Sequence, residues 1–238
     1  MISLNKDSTN LRKAALISGI SLILMALAAA FSYGFVHGSL VVPGDISTTY
    51  TNITSSITLF KAEITGWVVI LLLDIIVAWS LYIFLKPVNR ELSLLAAWLR
   101  LIYTALLGIA ILNLLFVLLL SNGADYLSLL KMDQLQANMA LRLEAFELIW
   151  SIGLIVFGVH LFIVGWIAFQ SNKIPKIIAI LLVLAAIGYI IIHLCMTLLV
   201  QQSIITTLEF MFTVPMIVGE LGFGLWLLVK GGKVPTKP

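Results

Sequence analysis

Charge is scarce in this sequence. Lysine and arginine number 14 and aspartate and glutamate 11, so charged residues make up 11% of the 238, where a soluble domain carries about 25%. That shortage excludes a soluble globule, because the 61% of apolar residues would expose more apolar surface than water tolerates. It also excludes disorder, which requires low hydrophobicity and high charge. Cysteine is nearly absent. Cys195 stands alone, which removes a disulfide framework and any zinc site built from several thiolates. The Gly-x-Ser-x-Gly elbow, the His-Glu-x-x-His helix and the phosphate-binding glycine loop are missing as well. Cys195 and His193, two positions apart on a helix, point to different faces, which disfavours a cysteine nucleophile. No catalytic residue and no cofactor is assigned from the sequence.

What the chain has in excess is long apolar runs, and a bilayer-spanning helix needs about 20 such residues. Six stretches qualify, at residues 14–36, 64–85, 92–121, 147–169, 174–200 and 209–230. The expected fold is therefore an all-α, polytopic membrane protein with six transmembrane helices in a single bundle. The first span follows Lys6, Arg12 and Lys13 and resembles a signal peptide in its basic start. Its apolar run of about 23 residues exceeds the 7–15 of a cleaved signal, so a retained helix is expected. Between the spans, residues 37–63 form a long outer loop containing His37 and Pro43-Gly44-Asp45. Residues 124–143 carry Leu127, Leu130, Leu135, Met139 and Leu143 at near-helical spacing. That pattern predicts an outer interfacial helix, with extension of the fourth span as the alternative.

Basic residues set the orientation. With the N-terminus inside, ten lysines and arginines fall in inner segments, against Lys61, Lys131 and Arg142 in outer ones. The expected topology has both termini in the cytoplasm. The net charge of +3 needs no nucleic-acid partner on this reading; the lipid bilayer is the partner. A homo-oligomer stays open, since no heptad or Gly-x-x-x-Gly face decides it. Trp67, Trp98, Trp150, Trp166 and Trp226 fall toward span ends and read as interfacial anchors.

Gly44-Asp45, the loop Leu85-Lys86-Pro87-Val88-Asn89-Arg90, Gly158-Val159-His160, Ile174-Pro175, Gly188-Tyr189, Gly219-Glu220, Trp226 and Lys230-Gly231 together resemble a family of bacterial membrane proteins, domain of unknown function 4386. The resemblance implies six spans and a bacterial cytoplasmic membrane, and it brings no established activity. This chain has Lys61 and Lys176 where that family more often has arginine, which disfavours bidentate anion contacts there.

Ionisable groups inside the hydrocarbon are costly and need partners. Counting about 1.5 Å per residue from each cytoplasmic helix end puts Asp74 about 18 Å deep, and Arg100, His160 and Glu220 about 15 Å deep. Four such groups on four helices thus reach one level, the middle of a bilayer core about 30 Å thick. They are the candidate site for a proton or a small polar ligand. Arg100 fully satisfies one carboxylate, so the other pairs with protonated His160 or takes up a proton. No metal is assigned, because Arg100 at that level repels a cation. Pro215, five residues before Glu220, deprives the Met211 carbonyl of its helical partner and predicts a kink. Gly219 permits close approach, while Gly222 and Gly224 read as packing residues.

A second polar level, about 35 Å from the inner ends, holds Glu63, Asn113 and Glu147 as candidates for an outward vestibule or as groups facing water. His193, about 25 Å up, is a further outer-level candidate for that vestibule or a core histidine bonded to a carbonyl. Asp45, also an outer-level candidate, reads as the cap of an outer segment. Three functions stay open. They are transport or binding of a proton or small polar molecule, a lipid-acting intramembrane enzyme with His160 or Glu220 as general base, and an accessory subunit whose ion network only fixes packing.

Overall fold

The computed structural model describes residues 2–123, 125–198 and 201–233, and all regular structure among them is helical. Helix α1 (Ile2–Ala29) continues into a π-helical segment, Ala30–His37, and a short turn, Gly38–Leu40. Then follow α2 (Ile46–Ser55), α3 (Ile57–Leu85) and α4 (Arg90–Leu120). After a 3-10 turn at Asp125–Leu129 come α5 (Met132–Gln170), α6 (Lys176–Thr197) and α7 (Gln202–Val229).

Six segments among the described residues are long and apolar enough to cross a membrane, the shortest being Lys176–Thr197 with 22 residues. That is about 33 Å of helix at 1.5 Å per residue, enough for a core about 30 Å thick. Large apolar side chains stand uncovered on these helices; Phe210 is 86% exposed and Val214 66%. Lipid accepts such faces and water does not. The chain is an all-α, multi-pass membrane protein.

Several boundaries differ from the sequence reading. Residues 132–143 of the outer helix expected at 124–143 are the first part of α5, which runs unbroken from Met132 to Gln170, so this stretch follows the alternative reading, an extension of the fourth span. No proline or glycine interrupts residues 132–152, and the Gln134 side chain accepts from the Lys131 N–H just before the helix begins. The sixth span starts at Gln202 rather than at Glu209. The loop expected at 37–63 contains α2 and the start of α3. Ala124, Leu199, Val200 and Lys237 lie outside the described residues.

Contacts group the helices into two compact units. The first comprises the described parts of Met1–Leu24, Leu72–Thr104 and Ser151–Pro238. Its helices approach closely at glycines. A Cβ on Gly158 would lie 3.0 Å from the Ala186 carbonyl oxygen, and one on Gly219 2.9 Å from that of Leu181. Gly222, read from sequence as a packing residue, would meet nothing within 4 Å; it faces open space. Arg12 donates to the carbonyls of Leu227, Leu228 and Gly231, supplying the orphan acceptors at the end of α7 with a cation where the helix dipole favours one. Ser18 and Ser80 pair their hydroxyls at 2.7 Å.

The second unit comprises Met25–Leu71 and the described parts of Ala105–Trp150. Here the turn Val42-Pro43-Gly44-Asp45 closes with an Asp45 N–H bond to the Val42 carbonyl, 3.1 Å. Gly44 has φ 79°, as the third position of a type II turn after proline requires. Asp45 then caps α2, accepting from the Thr48 N–H at 2.9 Å and the Thr48 hydroxyl at 2.6 Å.

Candidate functional site

The first unit collects the four candidates that the sequence reading put at one level. Asp74 sits in α3, fully buried, and its Oδ1 lies 2.6 Å from Arg100 Nη2 of α4. Asp74 Oδ2 has no hydrogen-bond partner among the described atoms. Arg100, 1% exposed, also places Nη1 3.2 Å from His160 Nε2 of α5. The other imidazole nitrogen, Nδ1, lies 2.8 Å from the Ala96 carbonyl oxygen. A carbonyl only accepts and a guanidinium only donates, so these partners assign the ring: Nδ1 carries the proton and Nε2 accepts. His160 is therefore the neutral imidazole in this arrangement.

Glu220 completes the set from α7. Its partner is a residue the sequence reading missed: the Tyr189 hydroxyl of α6 donates to Glu220 Oε1 at 2.7 Å. The pairing of Glu220 with protonated His160, one of the two sequence alternatives, does not occur here, because both His160 nitrogens are engaged elsewhere. Tyr189 is held in place by the edge of Phe157, with ring centroids 5.2 Å apart. Phe157 also lies under the Arg100 guanidinium at 5.3 Å. Arg100, His160 and Glu220 line one cavity of about 10 Å³, otherwise walled by Leu22, Leu81, Leu161, Val164, Leu182 and Phe223. A space of that size holds about one water molecule. Pro215 lies within α7, which continues on both sides of it.

His193 also belongs to this unit, and its partner differs from the expected carbonyl. The Ser151 hydroxyl is 2.9 Å from His193 Nδ1, so a side chain of α5 holds the α6 histidine.

The second unit contains the other candidates. Glu63 and Glu147 both face His37: Nδ1 is 2.8 Å from Glu63 Oε1 and Nε2 3.5 Å from Glu147 Oε1. Tyr33, Trp67, Phe146 and Trp150 surround them, with Trp67 and Trp150 centroids 4.8 Å apart. Trp67 is 1% exposed, so its expected role as an interfacial anchor is replaced by packing inside this aromatic group. Trp98 and Trp166 are 59% and 50% exposed. Asn113 is held apart from the carboxylates: its Nδ2 donates to the Ile109 carbonyl at 3.3 Å, and its Oδ1 lies 3.5 Å from Arg142 Nη1. Asp45 is an exposed helix cap. The Thr48 hydroxyl and N–H that bond it hold its carboxyl below the usual carboxylate range.

Neither histidine system converges its donors on one point. Among the described residues no group of three or more His, Cys, Asp or Glu side chains is placed to hold a metal ion.

Comparison with known proteins gives two matches. The family model described as Domain of unknown function (DUF4386) matches residues 17–231. A protein of Archaeoglobus fulgidus, titled "Uncharacterized protein", is 31% identical over 172 residues, which is 72% of this chain and 85% of that relative. No solved structure matches.

Proposed function

The chain belongs to the DUF4386 family, and we propose that it takes up and releases a proton at the cavity lined by Arg100, His160 and Glu220, as a proton-linked transport or binding protein of the cell membrane. The observation that carries this reading is a charge count. Two carboxylates, Asp74 and Glu220, and one guanidinium, Arg100, meet in this set, and His160 is held neutral by the Ala96 carbonyl and Arg100. One added proton makes the set electroneutral, and unbalanced charge inside a membrane protein is costly. The partnerless Asp74 Oδ2 and the Tyr189-bound Glu220 are the two places for it.

The cavity volume of about 10 Å³ favours a proton, or a single water carrying one, over a larger solute. A polar molecule of any size would need α7 to move. Pro215 supplies a hinge for that motion, because it removes one helical hydrogen bond just before Glu220. An enzyme using His160 as general base is disfavoured, since neither ring nitrogen has a lone pair to spare. The distribution of lysine and arginine supports both termini on the cytoplasmic side.

Infrared titration of the full-length protein in lipid, followed by proton flux into proteoliposomes with a trapped pH dye, tests the proposal. A carboxylic-acid absorption that titrates with pH and vanishes in Glu220→Gln or Asp74→Asn is expected, with faster gradient collapse for the natural sequence than for Glu220→Gln. Titration without flux retains proton binding and removes transport. If neither carboxyl changes its protonation between mildly acidic and mildly alkaline buffer, the network is structural and the proposal is wrong.

A further inference from the structure

The histidine of the second unit has partners of the opposite kind from those of His160. His37 ends the π-helical segment and presents both ring nitrogens to carboxylates, Nδ1 to Glu63 at 2.8 Å and Nε2 to Glu147 at 3.5 Å. An ionised carboxylate only accepts. A neutral imidazole has one N–H, so one of its nitrogens would aim a lone pair at an oxygen lone pair. Glu63 makes the requirement stronger: it is fully buried, and its Oε2 has no hydrogen-bond partner among the described atoms. The N–H on His37 Nδ1 is what satisfies its other oxygen.

The surroundings favour a positive ring. Tyr33 stacks on the imidazole with centroids 5.3 Å apart and planes 20° apart, and Phe146 lies 6.0 Å away; aromatic faces attract cations. The titratable groups facing His37 are Glu63 from α3, Glu147 from α5 and Tyr33 from its own segment, whose hydroxyl donates to Glu147 Oε2 at 3.4 Å. Arg142 of α5 is engaged by Asn113 and by the ring of Phe116 at 4.6 Å. Exposure falls along the row: the Glu147 side chain is 40% exposed, that of His37 11% and that of Glu63 0%.

We propose that Glu147, His37 and Glu63 form a proton-loading relay, in which the half-exposed Glu147 collects a proton from water and the ring carries it to the buried Glu63. Loading starts from the neutral ring protonated on Nδ1: the O–H bond of protonated Glu147 breaks as an N–H bond forms on the free His37 Nε2, leaving a carboxylate and the imidazolium that is the resting form at neutral pH. The Nδ1–H bond then breaks as an O–H bond forms on Glu63 Oε1, leaving a neutral ring protonated on Nε2. Return of that proton to Nδ1 resets the imidazolium. The relay shares no side chain with the Glu220 cavity, and it stands whether or not the proton reading of that cavity holds.

The protein has three histidines, so nitrogen NMR of imidazole-labelled full-length protein in lipid nanodiscs resolves them. At neutral pH one histidine is expected with both nitrogens protonated. That signal disappears in His37→Gln, converts to the singly protonated form in Glu63→Gln, and is unchanged in Glu220→Gln. Glu147→Gln, a change at a half-exposed side chain, slows exchange of the Nε2 proton with water. A His37 singly protonated at every pH at which the fold persists, or exchange unaltered by Glu147→Gln, overturns the relay. Should Glu63→Gln fail to fold, the natural sequence and Glu147→Gln still decide.

Discussion

Arg100→Leu removes the counter-charge of a carboxylate that solvent cannot reach. Asp74 is 0% exposed and Arg100 1%, so screening by water offers no relief. Breaking a buried pair by deleting one partner costs about 3–5 kcal/mol. The bond from Arg100 Nη1 to His160 Nε2 would add about 1.5–3 kcal/mol, less what overlaps with the first term. Leucine keeps apolar contact with Phe157. The expected net loss is therefore about 3–6 kcal/mol, a large share of the about 5–15 kcal/mol that holds an ordinary domain together. Asp74→Asn with Arg100→Leu should behave differently, because both charges of the pair go together and Glu220 is left as it was. The remaining cost is then an imperfectly bonded amide, about 1–3 kcal/mol. Reversible unfolding in mixed micelles with rising SDS, followed by tryptophan fluorescence, measures both variants. The single variant should also lose less in mildly acidic buffer, where a proton on Asp74 stands in for the guanidinium. A single variant within about 1 kcal/mol of the natural sequence, or a double variant no more stable than the single, would refute the reasoning.

Gly219→Ala sets a Cβ 2.9 Å from the Leu181 carbonyl oxygen and 3.1 Å from its carbon. That is backbone and cannot rotate away, so α6 and α7 must part, at about 1–3 kcal/mol in the same unfolding assay. Gly222→Ala meets nothing within 4 Å and should be neutral or stabilising by up to about 1 kcal/mol; equal losses at the two positions would contradict the packing described. Asp45 gives a pH dependence with a definite sign. Its hydrogen bonds from Thr48 depress its pKa in the folded protein, so its support of α2 is complete above the ordinary carboxylate range and is lost as pH falls through the depressed value. Amide exchange at Thr48 should be faster in Asp45→Ala than in the natural sequence at neutral pH, and the difference should close in acid. A ratio independent of pH would show that the cap bonds are not made by the carboxylate.

Span number and helix type were legible because lipid imposes one rule everywhere: an apolar run long enough to cross, with its backbone bonds satisfied internally. Which ionisable groups meet was legible for a related reason. A helix rises evenly, so residues counted from Lys86, Arg90, Gln170 and Lys230 reach one level, and Arg100, His160 and Glu220 line one cavity, with Asp74 on Arg100. What could not be read was direction around the helix axis. Tyr189 gave no sign of turning to Glu220, since a tyrosine in an apolar run is equally at home in the core. Trp67 and Trp150 had the depth of interfacial anchors but face the aromatic group around His37. His37 itself was assigned to a loop because the apolar run ends at Val36. The π-helical segment Ala30–His37 carries the helix past that point, and such wide turns leave no clear mark in sequence.

The two histidines show why a residue's type says little about its charge inside a membrane protein. His160 meets one group that can only accept and one that can only donate, the Ala96 carbonyl and the Arg100 guanidinium. A second ring proton would face the N–H of Arg100, so the neutral form is the one that fits. His37 meets two carboxylates, and there the neutral form is the misfit. Neither assignment depends on distance from water; each follows from counting which partners can give a proton and which can only receive one. The same count can be altered by mutation. Converting Glu63 to glutamine offers His37 an amide that can donate as well as accept, which removes the demand for a second ring proton while leaving shape nearly unchanged. If His37 stays doubly protonated in Glu63→Gln, the field of Glu147 and the aromatic faces is sufficient by itself, and the buried carboxylate has no part in holding the charge.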